Sequence, residues 1–148
     1  MQLNAKVNLT QCRRAKLIIQ KELHKGYVEE FGLLRFYANE LLRRNQGSTA
    51  VLDTLRVTEV DKPKFKRIYI CLKGCKVGFL KGCRPLIGID GAFLKGMCKG
   101  ELLTAVGRDG NNQMYPIAWA IVGVENTNNW LLFFQLLRDD LGLNDGAG

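Results

Sequence analysis

Asp90 is the residue whose type and place most invite chemistry. It closes a short apolar run, Leu86-Ile87-Gly88-Ile89-Asp90, where a carboxylate beside a core needs a reason. One such reason is a hard divalent cation, because Mg²⁺ takes oxygen ligands and is typically held by one or two carboxylates with several waters. Two such ions ~3.5–4 Å apart can drive phosphoryl transfer by activating the attacking oxygen and stabilising the leaving one. That mechanism needs several carboxylates converging from different strands and helices, and one strand-end aspartate does not supply them. The competing reading is a turn, since Asp-Gly is a common turn pair, and on the residues alone the turn is favoured.

The other acids rank lower. Asp109 lies in Arg-Asp-Gly-Asn-Asn and reads as a hairpin-turn residue. Glu125 follows an apolar run directly and could reach the same end of a sheet as Asp90, or serve as a first-turn acid near a helix N-terminus. Asp139 and Asp140 fall late in the last helical stretch and read as solvated. Cys71, Cys75 and Cys83 cluster, with Cys98 further on, but their spacing lacks the paired knuckles of structural zinc, and the sole histidine, His24, is far away. Free thiols, buried or half-buried, are the expectation. Gly74, Gly78, Gly82 and Gly88 lack the strand-to-helix context of a phosphate-binding or dinucleotide-binding loop.

The elements that would position these residues follow from periodicity. Cys12, Ala15, Ile19 and Leu23 recur at helical spacing, with Asn8 or Thr10 as cap and Gly26 as a stop. Val28, Phe31, Leu34, Tyr37, Ala38, Leu41 and Leu42 form a second stripe, ended by Asn45-Gln46-Gly47-Ser48. Together these predict a helical hairpin turning near Gly26. Ala50 to Val60 alternates as a strand does, Asp61-Lys62-Pro63-Lys64 breaks the chain, and Phe65 to Leu72 is a further apolar run. Lys73 to Cys83 reads as a short helix or turn region. Leu86 to Asp90, Leu102 to Gly107 and Met114 to Val124 predict three strands, the last two joined by a turn at Arg108-Asp109-Gly110-Asn111-Asn112. Asn126-Thr127-Asn128-Asn129 then caps a helix carrying Trp130, Phe133, Phe134, Leu136, Leu137 and Leu141. The fold class expected is α+β: an antiparallel three-stranded meander with a helix on one face, preceded by the helical hairpin. The sheet reads as unfinished, because the last helix leads to Asn144-Asp145-Gly146-Ala147-Gly148 and not to another strand.

The chain has 148 residues and a net charge of +8. Residues 1–67 hold 14 Lys/Arg against 7 Asp/Glu, whereas residues 68–148 hold 8 against 7. A basic first half fits a nucleic-acid partner, although a solvated basic surface would read the same. No apolar run reaches the ~20 residues of a membrane-spanning helix, and the N-terminus lacks a secretory core. The expectation is an intracellular protein with no membrane partner and no small-molecule substrate.

From Phe65 through the last helix the sequence resembles the start of the Mutator-like (MULE) transposase domain of plants. The matching pieces come in order: Gly82-Cys83-Arg84-Pro85, Ile89-Asp90-Gly91 and Leu94-Lys95-Gly96. They continue with Gly100 through Leu103, Ala105, Asp109, Asn112, Pro116, Ala118, Glu125 and Trp130. QCRRAK and LLRRNQGS upstream are similar to the segment preceding that domain. The resemblance implies a DDE-type transposase with an RNase H-like core, cutting and joining DNA with Mg²⁺ or Mn²⁺. It divides the chain into a basic helical region, 1–64, and a partial transposase domain, 65–148. It makes Asp90 the first catalytic aspartate and a metal ligand, reversing the turn reading. The strand bearing the family's second aspartate is not matched, since Asp145 sits in Asn-Asp-Gly without an apolar strand before it. The catalytic glutamate, the later Cys/His-rich segment and the N-terminal zinc region are not matched either. The implied state is therefore an inactive piece with no tightly bound metal, with DNA as partner, a nuclear location and scope for homo-oligomers. A transposase-derived DNA-binding or regulatory protein is the alternative.

Overall fold

The computed structural model describes residues 8–56, 63–95 and 99–143. The chain divides into two compact units, one ending at Leu33 and the other beginning at Leu34. Both predicted N-terminal helical stretches are helical, and they are joined in one helix, α1, Leu9–Arg44. The turn expected at Gly26 is a correction: the helix continues through it. A glycine inside a helix costs only ~1 kcal/mol relative to alanine, which weakens a helix without ending it. The stop falls at Gly47, whose φ of 85° takes the left-handed conformation that lets the chain leave the helix.

The second unit is built on a five-stranded sheet, not the three-stranded meander expected. Its strands are β1 (Thr49–Leu55), β2 (Lys64–Cys71), β3 (Gly88–Leu94), β4 (Gly100–Arg108) and β5 (Met114–Val122). They lie in the order β1-β2-β5-β4-β3, and every neighbouring pair is antiparallel. The predicted meander is present as β3-β4-β5. The extra strands arise because β2 adds to the far side of β5 and carries β1 with it, a pairing between residues some fifty apart that local periodicity does not encode. The predicted strand at 50–60 is seen as far as Leu55; residues 57–60 lie outside the described residues.

Two helices complete the unit, α2 (Lys73–Gly82) and α3 (Thr127–Leu141). The α3 cap is the one expected, with the Asn126 side chain accepting from the Asn129 N–H, and Gly142 ends the helix at φ 64°. One sheet face and both helices share the core. Tyr69, Cys71, Leu103, Ala105, Ala120 and Val122 from the strands meet Phe79 of α2 and Phe133, Leu137 and Leu141 of α3. Phe133 and Tyr69 meet edge to face, with ring centroids 5.6 Å apart. Helix and sheet approach closely: a Cβ on Gly107 of β4 would lie 2.7 Å from the Phe79 ring, so only glycine fits there. No helix among the described residues is long and apolar enough to cross a membrane.

Candidate functional site

Asp90 is the third residue of β3, not its end. The strand continues through Gly91-Ala92-Phe93-Leu94, paired with Leu103 back to Gly100 of β4. The turn reading fails because Gly91 stays extended; among the described residues the glycines at positive φ are Gly47 and Gly142. Asp90 terminates a row that crosses the whole sheet, Ala50–Ile70–Trp119–Thr104–Asp90. The Thr104 hydroxyl donates to the Asp90 carbonyl at 3.3 Å. The Asp90 side chain is exposed, and its Oδ1 accepts the neighbouring Gly91 N–H at 2.9 Å.

Glu125 reaches β3, but from the other face. A Cβ on Gly91 would lie 3.3 Å from both Glu125 carboxylate oxygens, so the absence of a side chain there makes room for the carboxylate. Trp130 Nε1 donates to Glu125 Oε1 at 2.9 Å, which fixes it against α3. Successive strand residues point to opposite faces, so Asp90 and Glu125 flank the same strand without sharing a site. Asp109 is the turn residue expected: its Oδ1 accepts from the backbone N–H of Asn111 and of Gln113, and Asn112 takes φ 64°. Among the described residues no group of three His, Cys, Asp or Glu side chains is placed to hold a metal ion. A two-metal centre needs converging oxygen donors, and the described residues do not fit one.

Asp140 corrects the expectation of a solvated acid. Its side chain is only 7% exposed and lies 2.6 Å from the Lys76 ammonium of α2. Tyr69 donates its hydroxyl to Asp140 Oδ2 at 2.8 Å, and the Thr49 hydroxyl also donates to the carboxylate. One carboxylate thus ties β1, β2 and α2 to α3. Burial, followed by the bond to Asp140, raises the Tyr69 phenol above its ordinary range. Burial pushes the Cys71 thiol up to about 12, with the nearby Asp140 charge adding to the shift. Asp139, next in sequence, is exposed as expected. A second polar link runs from Asp53 to Arg67 Nε at 2.7 Å and from Arg67 to Asn129 Oδ1 at 2.9 Å.

The cysteines are free thiols where described: Cys12 exposed, Cys71 buried, Cys75 and Cys83 half-buried. Cys98 lies outside the described residues. His24 is exposed on α1. Burial raises the Cys75 thiol, the opposite of what a reactive cysteine requires. Glu101 is another buried acid, one that its place in the sequence does not reveal; it is 8% exposed and its Oε2 has no hydrogen-bond partner among the described residues. On α1, Arg13, Arg14, Lys16, Lys21 and Lys25 are all exposed. Arg14, Lys21 and Lys25 recur at helical spacing and so share one face. Near the end of α1, Glu40 bonds both Arg43 and Arg44, and these two arginines pull its carboxyl down to about 2.

Residues 86–144 match the model of the MULE transposase domain. That match covers β3, β4, β5 and α3 and includes Asp90, and it supports a family-level assignment of this part of the chain. No curated protein and no solved structure matches the chain.

Proposed function

We propose that this chain derives from a DDE-type DNA transposase, binds duplex DNA, and does not cut it alone. The observation that carries the reading is the family match spanning Asp90. In this reading the segment from residue 65 onward is the N-terminal part of an RNase H-like core. Asp90 is its contribution to a divalent-metal site in the intact family, where Mg²⁺ or Mn²⁺ would supply the phosphoryl-transfer chemistry. The exposed Asp90 carboxylate suits such a role, and the separation of Glu125 onto the other face argues against catalysis by the described residues. The basic 1–64 region would supply phosphate contacts, chiefly from Arg13, Arg14, Lys16, Lys21 and Lys25, in a protein that works in the nucleus.

The exposed basic residues of α1 favour a second form of the same lineage, a DNA-binding or regulatory protein that has lost transposition. Both forms predict salt-dependent DNA binding, because each phosphate contact releases counterions. The test incubates the purified chain with duplex DNA and Mg²⁺ or Mn²⁺, following binding and strand integrity together. Binding without cleavage supports the proposal. Cleavage or strand transfer by the chain overturns it, and absence of binding at low salt removes the DNA partner. Competition among unrelated duplexes separates a sequence-specific regulator from general phosphate attraction.

A further inference from the structure

Glu101 is the second residue of β4, paired with Phe93 of β3 on one side and Val122 of β5 on the other. It shares a face of the strand with Leu103 and Ala105, so its side chain enters the layer between the sheet and the helices. A carboxylate there is costly unless its charge is met, yet Oε2 is buried without a hydrogen-bond partner among the described residues. The cation in the same row, Arg67 beyond Val122, is already engaged by Asp53 and Asn129.

Glu125 comes to the same spot. Gly91 pairs with Leu103, which makes it the diagonal neighbour of Glu101 on this face. Diagonal neighbours across an antiparallel pair lie ~7–8 Å apart, within reach of long side chains. The space that a side chain at Gly91 would fill is taken by the Glu125 carboxylate, both of whose oxygens lie 3.3 Å from that Cβ position. Trp130 Nε1 holds Glu125 Oε1 and leaves Oε2 free. Neither glutamate forms an ion pair among the described residues. One of the two carboxylates is buried and the other exposed, so an ion can enter from the Glu125 side.

We infer that Glu101 and Glu125 bind one hydrated divalent cation of the Mg²⁺ class, between β4 and the segment leading into α3. Mg²⁺ keeps several waters and is commonly held by one or two carboxylates, whereas Ca²⁺ takes more oxygen ligands from the protein. Among the described residues no third Asp, Glu, His or Cys side chain is placed beside these two, so water completes the shell and binding is weak. The ion neutralises the buried carboxylate and ties β4 to the start of α3. Asp90 lies on the other face of the sheet, so this site is separate from the metal site proposed for the intact family and independent of DNA binding.

The test is thermal melting of the full chain, first with EDTA and then with MgCl₂ or MnCl₂, against NaCl at matched ionic strength. An ion that binds only the folded protein raises Tm by mass action, on the order of 5 °C at about ten times its Kd. The rise should persist in Asp90→Ala and vanish in Glu101→Gln and in Glu125→Gln; the latter keeps an acceptor for Trp130. The place of the ion is read from the indole N–H signals in NMR. Paramagnetic Mn²⁺ should broaden the signal of Trp130, which bonds Glu125, before that of Trp119, which lies in the row ending at Asp90. Glu101→Gln should abolish that preference. No rise in Tm beyond that in NaCl overturns the site. So does a rise unchanged by both glutamine substitutions, a rise abolished by Asp90→Ala, or broadening of Trp119 first.

Discussion

Replacing Asp140 by alanine should be among the most damaging single changes in the second unit. The carboxylate is 7% exposed, and the Lys76 side chain it neutralises is 14% exposed, so the ammonium cannot turn to water without disturbing α2. Removing one partner of a buried ion pair leaves an uncompensated charge and typically costs ~3–5 kcal/mol. The Tyr69 and Thr49 hydroxyls would lose their acceptor at the same time. Against a total stability of ~5–15 kcal/mol, a loss of this size leaves little margin. It corresponds to a fall in Tm on the order of 10–15 °C for a domain of this size. Asp140→Asn, which keeps an acceptor for Tyr69 but loses the charge, should fall between wild type and Asp140→Ala. Asp140→Leu combined with Lys76→Met removes both charges and should recover much of the loss. Urea unfolding and thermal melts of the four proteins give the comparison. A cost below ~1 kcal/mol for Asp140→Ala, the range of a surface ion pair, would refute the argument that this group is buried and structural. Failure of the double variant to recover stability would refute the argument that the stranded ammonium is the main cost.

Other consequences follow from the same geometry. Gly107→Ala places a methyl 2.7 Å from the Phe79 ring and should cost ~1–3 kcal/mol by overpacking, read as a lower urea midpoint. Cys71 and Tyr69 both titrate above their ordinary ranges when folded, so the stability they confer is complete below about pH 8.5 and is lost as pH rises toward 12. Thermal melts should fall across that window, and Cys71→Val should flatten part of the decline. Glu101→Leu removes a buried carboxylate oxygen that has no partner among the described residues and should leave stability unchanged or raise it by ~1–2 kcal/mol; a clear loss would show that Glu101 is satisfied in solution. Changing Arg14, Lys21 and Lys25 of α1 to alanine should weaken DNA binding and reduce the log–log salt slope by ~0.9 for each phosphate no longer neutralised.

Much of the second unit is legible because it is locally encoded. The α3 cap at Asn126, the hairpin turn with Asn112 at positive φ and the β4–β5 alternation each depend on residues a few positions apart. The place of β1 and β2 is not local. Nothing in Phe65 to Leu72 says that Tyr69 will lie beside Ala120, because that pairing is decided by which buried faces close a core together. Gly26 and Gly91 mislead for one reason: glycine permits a turn without requiring one, and both positions keep ordinary backbone conformations within α1 and β3. Asp140 does carry a signal. It stands seven residues after Phe133 and three after Leu137, on the stripe that α3 buries, and only its charge and its neighbour Asp139 suggest solvent. For Asp90 the run of residues places it in a strand, and the chemical role proposed for it rests on the family resemblance, not on the spacing.

Titration calorimetry with Mg²⁺ and with Mn²⁺, comparing the wild-type chain with Asp90→Ala, tests the proposal that Asp90 belongs to a metal site of the intact family that is not assembled in this chain. The account predicts no tight binding, with weak heats equal in the two proteins. Tight binding by the wild-type chain that disappears in Asp90→Ala would contradict it, because other ligands would then have to converge on Asp90 in solution.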